Sequence, residues 1–221
     1  MLTEKELDLV TMELETVNLD VDTYRQETKW GVNVVYYMLD LMLIERGIVE
    51  PIHFHNADFD LYLSRWNREE LFEKTLDNTV NIFEIRGKPL AEYFKEMEHD
   101  PINADRYRVI RALADKMESL DKEHQPFCIT GTLGIRAAVG AFSTKVLEQT
   151  CRQFGMDRLI IGVCNNDFAL AYQDLPENLL TLKQLMKPCE KFLTGSKGIR
   201  GKVLLKYDAC KGTLDSLKEN A

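Results

Sequence analysis

The sequence predicts an α+β fold: a small antiparallel sheet, formed by a β-β-α-β-β unit plus a C-terminal strand and packed by several helices. Three observations carry that expectation. Residues 127–172 hold four short apolar runs bounded by turn residues, with one helical pattern in their midst. Upstream, apolar residues recur at steps of three and four, the helical period. The 221 residues are 45% hydrophobic and 29% charged, which suits one packed body better than a disordered or fibrous chain.

From the N-terminus, Leu7, Val10, Leu14 and Val17 fall at helical steps, so residues 1–22 read as an acidic helical segment preceding a single α+β domain over 23–221. Residues 24–46 read as a long core helix, because Trp30, Val34, Tyr37, Leu41 and Ile44 share a face and Gly47 stops it. Residues 52–55 and 59–63 read as extended. Asn67 caps the next helix, with Glu70 completing a capping box. Residues 80–85 read as extended, 86–89 as a turn and 90–97 as a short helix. Asp105 caps a helix to about Glu123, with a stripe of Val109, Ile110, Leu113, Met117 and Leu120.

The most regular part opens at Pro126. Residues 127–130 and 135–142 read as strands, joined by Gly131-Thr-Leu-Gly134, since glycine tolerates the positive φ of a hairpin turn. Ser143 caps a helix bearing Val146, Leu147, Thr150, Cys151 and Phe154, and Gly155 ends it. Residues 159–164 and 168–172 pair across the tight turn Asn165-Asn-Asp167. Residues 179–193 are helical, kinked or split by Pro188, and 203–207 form the last strand.

Three segments carry a resemblance. They are LYLSRWNREELFEKTLDNT, PFCITGTLGIRAAVGAFSTKVLEQTCRQFGMDRLIIGVCNNDFALAY and the closing GKVLLKYD. Together they resemble uncharacterised Firmicute proteins of unknown function related to the YtpQ-like domain, over roughly residues 32–208. The chain departs from that group at Gly131 and at Cys164-Asn-Asn-Asp167. The resemblance implies a soluble, cytosolic α+β domain and carries no activity.

Charge narrows the partners. With 28 basic and 36 acidic residues the chain carries −8, which disfavours nucleic-acid phosphates and anionic membranes. The charge is uneven: residues 1–30 hold eight acids against three bases, and residues 183–221 hold nine bases against four acids. The expectation is that these two ends pair, as mixed-sign surfaces do. The most apolar run, 31–44, is interrupted by Asn33 and Asp40 and falls short of the roughly 20 residues of a membrane span. The opening Met-Leu-Thr-Glu-Lys-Glu lacks the features of a signal peptide. Five widely spaced cysteines without a Cys-x-x-Cys pair read as free thiols. All of this points to the cytoplasm.

Several constellations are candidates for chemistry. His53-x-His55 on a strand puts two imidazoles on one face, with Asp58 or Asp60 as a further zinc ligand. Lys197, Arg200 and Lys202 lie in the glycine-rich Gly195–Lys202 stretch, where backbone N–H groups and cations suit an anion. Cys128 and Cys164 are thiols on strands, with His124 as the nearest base in sequence. Asp20 and Asp22 read as solvated, and Arg106, Arg108 and Arg111 as a solvated helix face. No Gly-x-Ser-x-Gly elbow, P-loop or dinucleotide fingerprint is present. The expected function is therefore a non-enzymatic protein-interaction module without a cofactor, binding another protein or a second copy of itself. The alternatives are a metal-dependent hydrolase built on His53 and His55, or an anionic-ligand binder built on Lys197, Arg200 and Lys202.

Overall fold

Val10-Thr-Met-Glu-Leu-Glu15 alternates apolar and polar side chains, and the computed structural model folds most of it as a strand. The structure describes residues 2–16, 19–39, 52–98, 107–132, 136–192 and 198–217. Helix α1 (Glu4–Leu7) is a single turn, and β1 (Val10–Leu14) follows it. This corrects the helical reading of residues 1–22: the steps of three and four coincided with a period of two, and the period of two won.

The long helix over 24–46 is also corrected. Its described part is a hairpin, β2 (Arg25–Glu27) and β3 (Asn33–Met38), turning at Gly31 with φ +79°. The run Val34-Val-Tyr-Tyr37 is buried on both sides, so it lost the alternation that marks a half-exposed strand. Its β-branched and aromatic content is that of a strand. Residues 40–51 lie outside the described residues.

β4 (Ile52–His53) lies beside β3, in line with β2, and residues 59–63 are not extended. They belong to α2 (Asn56–Tyr62) and its C-cap. Asn67 caps α3 (Arg68–Ile82) as expected, its side chain accepting the Glu69 N–H at 2.9 Å. The helix takes residues 80–82 of the strand expected at 80–85 and ends at its C-cap Phe83. β5 (Arg86–Pro89) replaces the expected turn, and α4 (Leu90–Glu98) follows directly. α5 (Tyr107–Glu118) then leads to β6 (Phe127–Thr130). Asp105 lies outside the described residues.

β6 makes no hairpin with 135–142, which is instead a 3-10 helix at Ala138–Phe142. Residues 133–135 of the expected turn lie outside the described residues. Ser143 and Gly155 bound α6 (Thr144–Phe154) as expected, Gly155 in the left-handed region at φ +69°. β7 (Arg158–Asn165) and β8 (Ala169–Gln173) form the expected hairpin. α7 (Pro176–Phe192) runs through Pro188 without splitting, and β9 (Gly198–Asp208) and β10 (Thr213–Ser216) close the chain.

The fold is α+β with antiparallel sheets, but there are two of them. The smaller has β1 on one side of β3, and β2 and β4 on the other. The larger runs β10-β9-β7-β8-β6-β5. Helices were expected on one side of a single sheet; the larger sheet is covered on both. Phe127, Ile129, Leu159 and Ile161 face α6, the 3-10 helix and the β1 layer. Their neighbours Cys128, Ile160 and Leu170 point the other way, towards α4, α5 and α7. α7 lies so close to β7 that a Cβ on Gly162 would stand 2.6 Å from Met186 Sδ. Residues of both sheets belong to one hydrophobic cluster, including Met12, Tyr36, Phe127 and Leu205.

Candidate functional site

Strand pairing gathers an unusual set of polar side chains. Thr11 pairs with Tyr37 and Glu13 with Val35 across β1 and β3; Arg25 also pairs with Val35, and His53 with Tyr37. Paired residues share a face of the sheet, so Thr11, Glu13, Arg25, Tyr37 and His53 lie together. Val10, Met12 and Leu14 take the opposite face and join the hydrophobic cluster.

Glu13 is buried, and both its oxygens are engaged. Oε1 lies 2.7 Å from His53 Nε2; Oε2 lies 2.9 Å from Arg136 Nε and accepts from Asn166 Nδ2 at 2.8 Å. Burial of a carboxylate is costly unless charge and hydrogen bonds compensate it, and here three donors do so. Glu15 repeats the arrangement, with Arg25 Nε at 2.6 Å and Asn33 Nδ2 at 2.9 Å. Tyr37 is fully buried between these groups, its ring 5.5 Å from the Arg136 guanidinium and 5.9 Å from the His53 ring. Burial raises its hydroxyl pKa, the Glu13 charge adds to that, and Thr11 and Arg136 oppose it.

Asn166 works from both ends of its amide. While Nδ2 donates to Glu13, Oδ1 accepts the Leu14 N–H at 3.0 Å. The Thr79 hydroxyl accepts the Met12 N–H at 2.9 Å, and Asn78 Nδ2 donates to the carbonyls of Leu7 and Val10 at 2.9 Å each. The outer edge of β1 is thus closed by side chains, one of the ways an edge strand is kept from pairing with another chain. Asn165, fully buried, shapes the turn by accepting the N–H groups of Asp167 and Phe168. Asp167 in turn accepts the N–H of Arg136, whose φ is +53°.

Of the residues proposed from the sequence for chemistry, only His53 belongs to this centre. His55 sits at the start of α2, half exposed, with Nδ1 3.4 Å from Asp58 Oδ2. The two histidines therefore face different carboxylates and do not share a ligand position, which corrects the one-face geometry read from a strand. Among the described residues no group of three or more His, Cys, Asp or Glu side chains is placed to hold a metal ion. Asp20 and Asp22 are exposed, and the Asp20 carboxylate accepts the Asp22 N–H in a local turn. Cys128 is fully buried, and burial pushes its thiol pKa well above the ordinary range. His124 is turned to Asn178, with Nδ1 at 3.0 Å from Oδ1, and not to that thiol. Cys164 contributes its backbone to β7. Arg111 is exposed on α5, and Arg106 lies outside the described residues.

The ion pairs of the described residues join other segments than the two ends. Asp8 pairs with Lys74, Glu15 with Arg25, and Lys206 with Asp174. Lys197 lies outside the described residues, and Arg200 contributes its backbone to β9. Lys202 lines an open groove of about 770 Å³ between α7 and β9, with Lys183 and Lys187. The buried Met186, Val203 and Leu204 line it too, with Leu180, 63% exposed, Trp30, Gln184, Ser216 and Leu217. Trp30 is held by its indole N–H, which donates to the Leu214 carbonyl at 3.3 Å, and by Phe142 at a ring distance of 4.8 Å.

Sequence reasoning missed Glu13, Asn166 and Arg136. A signal for Glu13 was present, because Val10-x-Met12-x-Leu14 alternates with Thr11-x-Glu13-x-Glu15. Nothing local signals that Arg136 meets it. No family model, curated protein or solved structure matches the chain. Among the described residues no helix is long and apolar enough to cross a membrane.

Proposed function

We propose that this chain is a cytoplasmic, non-enzymatic protein-interaction module that engages its partner at the groove between α7 and β9. The resemblance to Firmicute proteins related to the YtpQ-like domain is part of the same proposal. The observation that carries it is the groove itself. Buried Met186 and Leu204 and the 63% exposed Leu180 line it together with lysines. An apolar floor with a polar rim is the anatomy of a protein-binding patch. The Glu13 centre supports the reading from the other side. Its carboxylate is taken up by His53, Arg136 and Asn166, which makes it a joint between layers.

A photo-crosslinking residue at Leu180, with a control at the exposed Glu148 on α6, which covers the other face of the larger sheet, tests the proposal in cells. The expected result is a discrete adduct from position 180 only, identified by mass spectrometry and reproduced with the purified partner. Equal background from both positions overturns it.

A further inference from the structure

The smaller sheet leaves one of its edges open. Thr28 donates its N–H to the Val32 carbonyl at 2.9 Å, and Gln26 pairs with Val34. In an antiparallel ladder alternate residues bond inward. Gln26 and Thr28 therefore turn their backbone to β3, and Arg25 and Glu27 turn theirs away. The residues opposite agree: the Asn33 carbonyl accepts the Glu15 N–H at 2.9 Å, on the β1 side. Among the described residues nothing pairs with the outward N–H and C=O groups of Arg25 and Glu27.

Other edges carry a block. Side chains of Asn78, Thr79 and Asn166 close β1. The Trp30 indole takes the Leu214 carbonyl of β10, and β5 ends in Pro89, which has no N–H. The charge of Arg25 does not guard β2, because its guanidinium is turned to Glu15 and to the carbonyls of Asp20, Val21 and Thr23.

Beside the open edge lies a groove of about 480 Å³, between residues 26–30 and the first two turns of α3. Phe72 and Trp30 line it with rings 6.0 Å apart. Glu69 and Glu73, exposed and one helical turn apart, line it as well. Among the described residues neither carboxylate has an ion-pair or hydrogen-bond partner. The two cations of the groove are engaged. The Lys29 ammonium stands 4.7 Å from the Trp30 ring centre. Arg68 lies by the buried Tyr24 and Tyr36, where burial raises the hydroxyl pKa values and its charge opposes the rise.

We propose that β2 is a docking edge for a basic, extended segment of a partner protein, which adds beside it as a further strand. The segment's backbone pairs with Arg25 and Glu27. Its side chains alternate between faces, so one set meets the groove: an apolar residue on Phe72 and Trp30, and a Lys or Arg beside Glu69 and Glu73. The net −8 of the chain steers a basic segment here. Strand addition takes its affinity from the main chain and its specificity from such side-chain contacts. The site is separate from the α7–β9 groove, although Trp30 lines both, and does not depend on it.

Amide hydrogen exchange by NMR reads the edge directly. The probes are short peptides alternating Lys with Val, Phe or Thr. Their counterparts carry Glu for Lys, or N-methyl groups on one or the other alternate set, each of which blocks one backbone edge. A Lys-bearing peptide is expected to slow exchange at Arg25 and Glu27 ~10-fold or more and to bind less tightly as salt rises. One of the two methylated forms should lose binding and the other keep it. Glu27→Pro removes an outward N–H and no bond of the existing ladder, and should weaken binding roughly 3- to 10-fold. Reversing the groove carboxylates (E69K with E73K) should weaken it at least as much. Unchanged circular dichroism shows that the variants remain folded.

No slowing at Glu27 with any of the peptides overturns the proposal. So does equal binding of both methylated forms, which would mark a side-chain contact without strand pairing. Equal binding of the Glu-for-Lys peptides, or undiminished binding to the charge-reversed protein, sinks the basic partner. Glu27 exchange that is already slow in the protein alone also overturns the proposal: dependence on protein concentration would assign the edge to a second copy, and independence to the chain itself.

Discussion

The Asn166 side chain donates to the Glu13 carboxylate at 2.8 Å, across 153 positions of sequence. That bond ties the β7–β8 turn to the buried face of β1. The same amide accepts the Leu14 N–H, so one residue satisfies a buried charge and the open edge of a strand together.

Replacing Glu13 by Ala leaves Arg136 and His53 facing a cavity, each with a side chain only 19% exposed. Breaking a largely buried ion pair by removing one partner costs about 3 kcal/mol. Urea unfolding of Glu13→Ala should show that loss, and Glu13→Gln, which keeps the shape, a smaller one. A change for Glu13→Ala within the scatter of ordinary surface substitutions, about 0.5 kcal/mol, would mean the centre contributes little.

Asn166→Asp tests the polarity of the bond. An aspartate oxygen in place of Nδ2 faces Glu13 as a second acceptor, and two carboxylates at that distance cannot both stay ionised. The variant should lose about 2 kcal/mol near neutral pH. The raised carboxyl pKa makes the folded variant hold its proton better than the unfolded chain does. The deficit therefore shrinks as pH falls through the carboxylate range. Parallel stability–pH curves for variant and wild type would contradict this.

Gly87 lies on β5 beneath α6, and a Cβ there would stand 2.9 Å from Thr150 Cβ, with the rest of that side chain closer. Thr is branched at Cβ and cannot swing clear. Gly87→Ala should cost ~1–3 kcal/mol by overpacking. Adding Thr150→Ala should recover part of it, and a double-mutant cycle measures the coupling. Additive losses would show that α6 moves away without resistance.

Cys151 is buried on the inner face of α6, and burial, followed by the nearby Asp157 and Cys210, raises its thiol pKa from 9.0 to about 11. The folded state therefore holds this proton more tightly than the unfolded chain. The resulting stability is complete below pH 9 and is lost as pH rises from 9 towards 11. The stability difference between wild type and Cys151→Ala should shrink over that window. At pH 8 a thiol reagent should label the exposed Cys210 first, and the buried Cys128 and Cys151 only after denaturant is added. Equal labelling rates by peptide mass spectrometry would contradict the burial argument.

Elements closed by local chemistry were legible. Asn67 and Ser143 start their helices, Gly155 ends one, and Asn165-Asn-Asp167 turns β7 into β8. Each depends on contacts within a few residues, which sequence order already supplies. The errors at β1, β3, the 3-10 helix and α2 share a cause. There, burial on more than one side or a coincidence of spacing removed the contrast between periods of two and 3.6. His53 was picked out for a partner two positions away, but its partner is Glu13, on a strand reached only through β3.

The order of residues alone set the α+β class, the caps, the central hairpin and the opposite charges of the two ends. Folding in three dimensions settled which side chains come together: a carboxylate on β1 meets a guanidinium from before the 3-10 helix, and lysines of α7 line one groove with a lysine of β9. The reason is that caps and tight turns draw their energy from neighbours along the chain. A buried charge or a groove draws it from neighbours across the sheet, whose identity no local period encodes.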